Sequence, residues 1–327
     1  MKIKTLLATV LCACSLSAQA TTWTGYTYSS VPTTAAVKGM ERITERVKKE
    51  TDGDLNIQLH LGKTLQIKSS DITQAVGEGY VDFAADFFFS GNVPIARVLN
   101  LPMLIENDAE WQKAYQAITP ILKKAFDKQG VVLLGGYRYP QQVFFTTFPM
   151  TKLSDIKGKK IRVTSPEQGY FVKAFGGLPI TLSGSEVPTA LERGVIDGVL
   201  TASTGGAKNW SEFLSSNYRF PVNYGNSMII ANTDSFDSLS AKDQSVLRKV
   251  VADEGPKITA DFLVDEKTQM ELQQKKGMTI HMPKEADLKK ARELIHPYWR
   301  QWAKENGPEY TKALNIVLKA IGKLYAY

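Results

Sequence analysis

Cysteine is almost missing from this 327-residue sequence. The chain has two, Cys12 and Cys14, and both lie in the segment 1–20. That segment reads as a cleavable leader, so the processed chain, 21–327, contains no cysteine. This excludes a cysteine nucleophile and a thiolate metal site from the processed chain. A chain of this length buries a large core and needs no disulfide after export.

The segment 1–20 has the three parts of a secretory signal peptide. Lys2 and Lys4 form a basic start, residues 6–16 form a short apolar run, and Ala18-Gln19-Ala20 fits a cleavage site. The apolar run is too short to cross a bilayer as a helix. We therefore predict cleavage after Ala20 and release into a bacterial periplasm. The alternative is a lipoprotein signal in which Cys14 carries the lipid.

Histidine is also scarce, and the familiar enzyme motifs are absent. The three histidines, His60, His281 and His296, have no spacing typical of metal ligands. The sequence has no P-loop, no G-x-S-x-G elbow and no G-x-G-x-x-G turn. We predict no cofactor, no metal and no enzymatic activity. Paired carboxylates for hydrolysis remain an alternative, because such pairs meet only in the folded chain.

The charge is mildly basic. The net charge of +7 falls to +5 once the two lysines of the leader are removed, and lysine and arginine are dispersed along the chain. Dispersed cations argue against nucleic-acid binding, whereas a basic surface is compatible with a small anionic ligand. No apolar run after the leader is long enough to span a membrane.

Strand and helix patterns alternate along the chain. The N-terminal half predicts strands at 26–30, 55–59 and 80–85, with helices between them; the first helix ends at Gly53. This βαβ order predicts an α/β fold with a parallel sheet. A long helix is predicted to begin at Ser240, and the aromatic tail 285–327 is predicted to be helical and to pack in the core.

One nine-residue pattern occurs twice. AVGEGYVDF at 75–83 aligns without gaps with ALERGVIDG at 190–198, at a constant offset of 115 positions. Each copy reads as a helix end, a glycine cap and a strand start, which chance convergence of βαβ units also produces. We predict two lobes of similar construction. Because no flexible linker separates them, several crossing strands should join the lobes and form a hinge.

Two arginines stand at strands near loops. Arg162 lies within KIRV, residues 160–163, and Arg138 follows the buried strand 131–136. The planar guanidinium grips a carboxylate with two parallel hydrogen bonds, and open α/β sheets bind ligands beyond their strand ends. We predict that both arginines hold an anionic ligand. The alternative is that each pairs with a surface carboxylate.

Three segments resemble a known family. KGKKIRV (157–163), FGGLPITLSGSEVPTALERGVIDG (175–198) and SFDSLSAKDQ (235–244) are similar to the substrate-binding subunits of tripartite ATP-independent periplasmic (TRAP) transporters. The resemblance implies a two-lobed clamshell with a ligand cleft and a long helix along both lobes. It also implies an organic-acid ligand and a separate membrane permease as partner. The arginine that pairs with the ligand carboxylate in this family falls on Arg162, and a second one falls on Arg138.

The sequence departs from the family pattern around S-E-V. Many members have an aromatic residue where this chain has Gly184, tyrosine where it has Pro188, and an acidic or amide-rich segment where it has VLTAS, 199–203. These changes remove polar donors and leave space. They favour a carboxylate with an apolar or aromatic body over sialic-acid-like sugars and compact C4-dicarboxylates.

The sequence thus predicts a monomeric periplasmic binding protein of the clamshell α/β class. Lobe I is predicted to comprise 21–137 and about 227–265, and lobe II about 138–226 and 266–327. The predicted ligand-binding residues are Arg162, Arg138, Tyr139, Phe87, Asp86, Gly184, Thr201 and Tyr224. The alternatives are a periplasmic enzyme acting on an organic acid, the binding protein of an ATP-driven (ABC) importer, or a sensor.

Overall fold

The computed structural model describes residues 20–324. The predicted signal peptide therefore lies outside the described residues, apart from Ala20. The strands are β1 (Thr21–Thr27), β2 (Leu55–His60), β3 (Phe83–Asp86), β4 (Val131–Thr146), β5 (Lys160–Val163), β6 (Leu178–Thr181), β7 (Gly198–Thr201), β8 (Ser216–Asn232) and β9 (Thr279–His281). The helices are α1 (Ala35–Glu50), α2 (Ile72–Gly77), α3 (Asp108–Asp127), α4 (Pro166–Ala174), α5 (Val187–Glu192), α6 (Ala207–Trp210), α7 (Thr233–Asp237), α8 (Ala241–Lys275), α9 (Glu285–Asn306) and α10 (Pro308–Ala320). No helix within this range is long and apolar enough to cross a membrane.

The strands form one mixed sheet that spans two lobes. Their order is β2-β1-β3-β8-β4-β7-β5-β6, with β9 beside β8. In lobe I, β1 pairs in parallel with β2 and β3; in lobe II, β5 pairs in parallel with β6 and β7. Helices cover both sets of parallel strands, as the βαβ pattern predicts. The predicted two-lobed α/β architecture is confirmed.

Two long antiparallel strands connect the lobes. β4 and β8 have 16 and 17 residues and pair with strands of both lobes. Their mutual register shifts between Arg138 and Gln141 and again between Gln142 and Phe144. Shifts of this kind bend a strand pair and interrupt its ladder. These two shifts lie beside the predicted lobe boundary at residues 137/138, where the sequence predicts a hinge; a third shift lies between Leu133 and Gly135.

The repeated sequence pattern forms the same turn in each lobe. Gly79 and Gly194 follow α2 and α5 with φ values of +74° and +65°, a backbone conformation that glycine adopts without strain. In both turns the residue after the glycine donates its N–H to the alanine that opens the pattern, Ala75 or Ala190. The two copies are therefore equivalent in structure as well as in sequence.

Helix α8 runs along both lobes. It has 35 residues and is capped by Ser240, whose Oγ accepts the N–H of Asp243 at 3.1 Å. Near its middle, Glu254 pairs with Arg42 of α1 in lobe I at 3.0 Å. Further along, Glu266 pairs with Arg219 of β8 at 2.7 Å. The long helix is thus tied to each lobe by an ion pair.

The C-terminal helices complete the core. The side chains of Trp299 and Trp302 on α9 are buried, as the sequence predicts. Helix α10 packs against α3, which belongs to lobe I. Lys323, just after α10, donates to Glu110 of α3 at 3.0 Å. The predicted boundaries place residues 266–327 in lobe II, whereas this last helix lies against lobe I.

Candidate ligand-binding site

A cavity of about 840 Å³ lies between the lobes, where parallel strands of each lobe end. Its lining includes the turn after β3 with Phe87, the hinge with Tyr139, and helix α8 with Phe262. From lobe II it includes Arg162 on β5 and Trp210 on α6. A volume of this size suits a small organic molecule. The cleft predicted at the strand ends is therefore present.

Arg162 is a buried cation in the wall of this cavity. Its side chain is only 4 % exposed, and its Nε donates to the carbonyl oxygen of Leu182 at 3.0 Å. Among residues 20–324 no carboxylate is ion-paired with it. Burial, without any compensating charge, lowers the pKa of its guanidinium to about 10. The alternative of a surface ion pair does not apply to Arg162.

An aromatic cluster forms the opposite wall. Phe87 and Phe88 follow β3, and the centre of the Phe87 ring is 5.0 Å from that of Tyr139. The ring of Tyr139 is 4.1 Å from Phe262 of α8, and its hydroxyl contacts that of Tyr28. Burial raises the pKa of both tyrosines well above the usual value, so their hydroxyls stay protonated. The wall is therefore aromatic and uncharged.

Trp210 faces Arg162 from the short helix α6. The guanidinium carbon of Arg162 lies 5.6 Å from the centre of the indole ring, within cation–π range. A Cβ at Gly206 would lie 2.0 Å from this ring, so only glycine fits there. A Cβ at Gly184 would lie 3.7 Å from it, so the space predicted beside Gly184 is bounded by the indole. Trp210 is not among the residues predicted from the sequence to bind the ligand. The Gly205-Gly206 pair that precedes it is the one local feature of the sequence that could have pointed to it.

The loop that carries Trp210 is held from both ends. Thr201, at the end of β7, accepts the N–H of Gly206 with its Oγ1 at 2.9 Å. The backbone N–H of Thr204 donates to Glu266 of α8 at 2.9 Å, and Glu266 is in turn paired with Arg219. Thr201 lines the cavity. Its hydroxyl also fixes the backbone that presents the indole.

The structure does not bring Arg138 and Tyr224 to this cavity. Arg138 is 2 % exposed; its guanidinium is ion-paired with Asp108 and lies 4.5 Å from the centre of the Tyr224 ring. Tyr224 lines a smaller neighbouring chamber of about 10 Å³, the space of one water molecule, which shares Phe87 with the large cavity. The alternative reading of Arg138, pairing with an acidic side chain, is the one that the structure shows.

Asp86 lies behind the aromatic wall. It is fully buried and accepts hydrogen bonds from the N–H of Thr73 at 3.1 Å, from the Thr73 hydroxyl at 2.6 Å and from the N–H of Phe88 at 2.7 Å. Burial raises the pKa of its carboxyl to about 6 despite these donors. Asp86 shapes the turn that carries the phenylalanines and does not line the cavity. Of the predicted residues, Arg162, Tyr139, Phe87, Gly184 and Thr201 line it together.

No three histidine, cysteine or acidic side chains of residues 20–324 come close enough to form a metal-binding cluster. The polar chemistry of the cavity consists of hydroxyls, amides and a few charges. Its lining holds the cations Lys63, Lys68 and Arg162 and one carboxylate, Glu186. Such an arrangement is suited to holding an anion.

Comparison with known proteins assigns this architecture to a family. The profile of the bacterial extracellular solute-binding proteins, family 7 (DctP), matches residues 27–306. The ectoine/5-hydroxyectoine-binding periplasmic protein UehA of Ruegeria pomeroyi is 29 % identical over 257 residues, covering 74 % of this chain and 72 % of that protein.

Solved structures share the fold. DctP7 of Bordetella pertussis, an extracytoplasmic solute receptor binding pyroglutamic acid, superposes with a TM-score of 0.85 at 23 % identity, covering 93 % of this chain and all of that one. A TRAP periplasmic solute-binding protein from Desulfovibrio salexigens with bound orotic acid gives a TM-score of 0.86 at 21 % identity, covering 93 % and 99 %. The chain therefore belongs to family 7 of the bacterial extracellular solute-binding proteins and is a solute receptor of the TRAP transporter type.

Proposed function

We propose that this protein captures an organic acid with an apolar or aromatic body in the periplasm and delivers it to the membrane subunits of a TRAP transporter. The observation that carries the proposal is the buried guanidinium of Arg162, which lines the cavity without a carboxylate partner among the described residues. A ligand carboxylate supplies that partner.

The energy of this contact is sufficient for capture. A hydrogen bond to a charged group contributes about 1.5–3 kcal/mol net, and a guanidinium can make two to one carboxylate. Two such bonds and an apolar wall give about −8 kcal/mol, which corresponds to a micromolar dissociation constant.

The body of the ligand lies between walls that belong to different lobes. Trp210 is on lobe II, whereas Phe87 is on lobe I and Tyr139 is at the hinge. A ring held between them contacts both lobes at once, so binding favours the closed form. The ligands named for the proteins compared above, pyroglutamic acid, orotic acid and ectoine, each combine a ring with a carboxylate, which supports a carboxylate attached to a ring as the ligand.

The proposal includes the organisation predicted from the sequence. The processed chain acts as a monomer without cofactor or catalytic turnover. Lobe I comprises 21–137 and about 227–265, and lobe II about 138–226 and 266–327, apart from α10. The ion pairs of α8 with each lobe are consistent with a boundary near residue 265.

The test is calorimetric titration of the processed protein with benzoate, pyroglutamate, orotate, octanoate and neutral analogues of each. The matched variants are Arg162→Gln and Arg193→Gln, the latter an exposed arginine of the same lobe. We expect at least one acid to bind, with a loss of about 2–5 kcal/mol in Arg162→Gln and none in Arg193→Gln. Equal binding by both variants, or preference for the neutral analogues, contradicts the proposal.

A further inference from the structure

Two lysines share the cavity with Arg162. Lys63 and Lys68, in the loop between β2 and α2, both line it, and both are exposed to solvent. Neither Lys63 nor Lys68 is among the lysines that form ion pairs within residues 20–324. The one carboxylate in the lining, Glu186, accepts the hydroxyl of Ser183 at 2.6 Å. The lining therefore carries an excess of positive charge that no residue of its own neutralises.

The loop that carries these lysines is fixed at its base. Gly62 donates its N–H to Ser29 at 2.9 Å, and the hydroxyl of the buried Tyr26 donates to the carbonyl oxygen of Ile67 at 3.4 Å. Lys63 has a φ of +73°, in the left-handed region that non-glycine residues rarely adopt. Such backbone persists where its surroundings impose it, and it concentrates at ligand clamps. The lysines thus extend from a defined backbone.

Hydroxyl groups surround the same end of the cavity. They come from the segment after β1 and the segment before α2 and include Ser29, Ser30 and Ser69. The hydroxyls of Thr34 and Ser70, which also line the cavity, already donate to the carbonyl oxygen of Val31 and to Asp71. A carboxylate has about four lone-pair sites, more than two ammonium groups fill, and hydroxyls can donate to the remainder. This end of the cavity offers both charge and neutral donors to an anion.

We propose that Lys63 and Lys68 form a second anion subsite, which holds a second carboxylate of the same ligand. This inference rests on the proposed function, in which the first carboxylate is held by Arg162. The ligand is then a dicarboxylate whose acid groups are separated by a ring or a hydrocarbon chain that lies along the aromatic wall. Because Arg162 is on lobe II and the lysines are on lobe I, the two ends of the ligand join the lobes.

The test compares diacids with matched monoacids by calorimetric titration. The probe pairs are 1,4-benzenedicarboxylate with benzoate, and suberate with octanoate. The variants are the double substitution Lys63→Gln/Lys68→Gln and, as a control with the same net charge, Lys123→Gln/Lys124→Gln on the exposed side of α3. The readout is the ratio of monoacid to diacid dissociation constants, and melting temperatures verify that both variants fold.

For at least one probe pair we expect the monoacid to diacid ratio of dissociation constants to be roughly ten or more in the wild type and in the control. The reason is that the second carboxylate gains a charge-assisted contact in a partly desolvated site. In Lys63→Gln/Lys68→Gln the ratio should fall to about three or less. A wild-type ratio near one, a ratio unchanged in that variant, or an equal fall in the control overturns the second subsite. Monoacid binding that depends on Arg162 would then leave the proposed function standing, whereas failure of every acid to bind overturns both.

Discussion

Asp82 and Asp197 make the same hydrogen bond in opposite lobes. The Oδ2 of Asp82 accepts the N–H of Thr24 at 2.8 Å, and the Oδ2 of Asp197 accepts the N–H of Lys160 at 2.7 Å. The two aspartates occupy matching positions in the two copies of the repeated sequence pattern. Each ties the turn after a short helix to the neighbouring strand of its own lobe.

Replacing either aspartate by alanine should destabilise the protein, because a partly buried backbone N–H loses its charged acceptor. We expect about 1–3 kcal/mol for Asp82→Ala and for Asp197→Ala, measured by urea unfolding. The two sites share no partner, so the double variant should equal the sum within about 0.5 kcal/mol. Glu192→Ala, an exposed control near the second turn, should change stability by less than about 0.5 kcal/mol. Clear non-additivity would show that the lobes do not contribute independently.

The ion pair of Arg138 with Asp108 should matter for stability rather than for binding. Asp108→Ala removes the ion-pair partner of Arg138 and leaves its buried guanidinium against the ring of Tyr224. We expect a loss of about 1–3 kcal/mol, discounted because the Asp108 side chain is 58 % exposed. Adding Arg138→Met should recover part of it, since the buried guanidinium that lost its partner is then removed.

Chemical unfolding of both variants and the double variant tests this, with Asp127→Ala at the exposed end of the same helix as control. Titration with an acid bound by the wild type gives the second readout. A loss of affinity in Arg138→Met as large as that in Arg162→Gln would show that Arg138 does bind the ligand and would contradict this prediction.

The sequence predicts those features that depend on local pattern. Helix α1, the paired glycine turns and the KIRV strand follow from periodicity and capping within one helix, turn or strand. Arg162 was identifiable because it lies in a short strand that leads into a loop. The lack of an acidic partner for Arg162 was not identifiable from the sequence, because it depends on every residue that the fold brings around the cavity.

Arg138 shows the limit most directly. Its partner Asp108 begins α3, the helix that precedes β4 in the chain, and no local pattern indicates that the two meet. Trp210 was missed for a related reason. Its position depends on the loop 201–206 being tied to Glu266 of α8, a helix that follows only after the whole of β8. Tertiary contacts of this kind decide which of several chemically suitable residues face the cavity.

Trp210 should report ligand binding. Of the five tryptophans in the chain, it alone is among the residues that line the cavity described above. We expect saturation with a bound acid to change the intrinsic fluorescence of the wild type, because the ligand enters beside the indole and the guanidinium. Trp210→Phe should lose most of this change and keep affinity within about threefold, whereas Trp210→Ala should lose about tenfold for aromatic acids. Trp23→Phe should retain the signal; if it removes the signal instead, the reporter is elsewhere.

Asp86 should make stability depend on pH between about 4 and 6. Burial raises the pKa of its carboxyl to about 6, above the value of about 4 in the unfolded chain, so the folded state binds this proton more tightly. The contribution of Asp86 is therefore fully present below pH 4 and is lost as the pH rises through 6. The loss amounts to about 3 kcal/mol.

The difference in unfolding free energy between the wild type and Asp86→Asn isolates this group, because other carboxylates titrate equally in both proteins. Glu254 is an example. Burial raises the pKa of its carboxyl, but its pairs with lysine and arginine outweigh burial and lower the pKa to about 2. Its contribution to stability is therefore lost as the pH falls, the opposite direction to Asp86. We expect the difference to favour the wild type most at pH 4 and to shrink by about 3 kcal/mol by pH 7. A difference that stays constant or grows with pH would mean that the donors from Thr73 and Phe88 outweigh burial and keep the carboxylate charged.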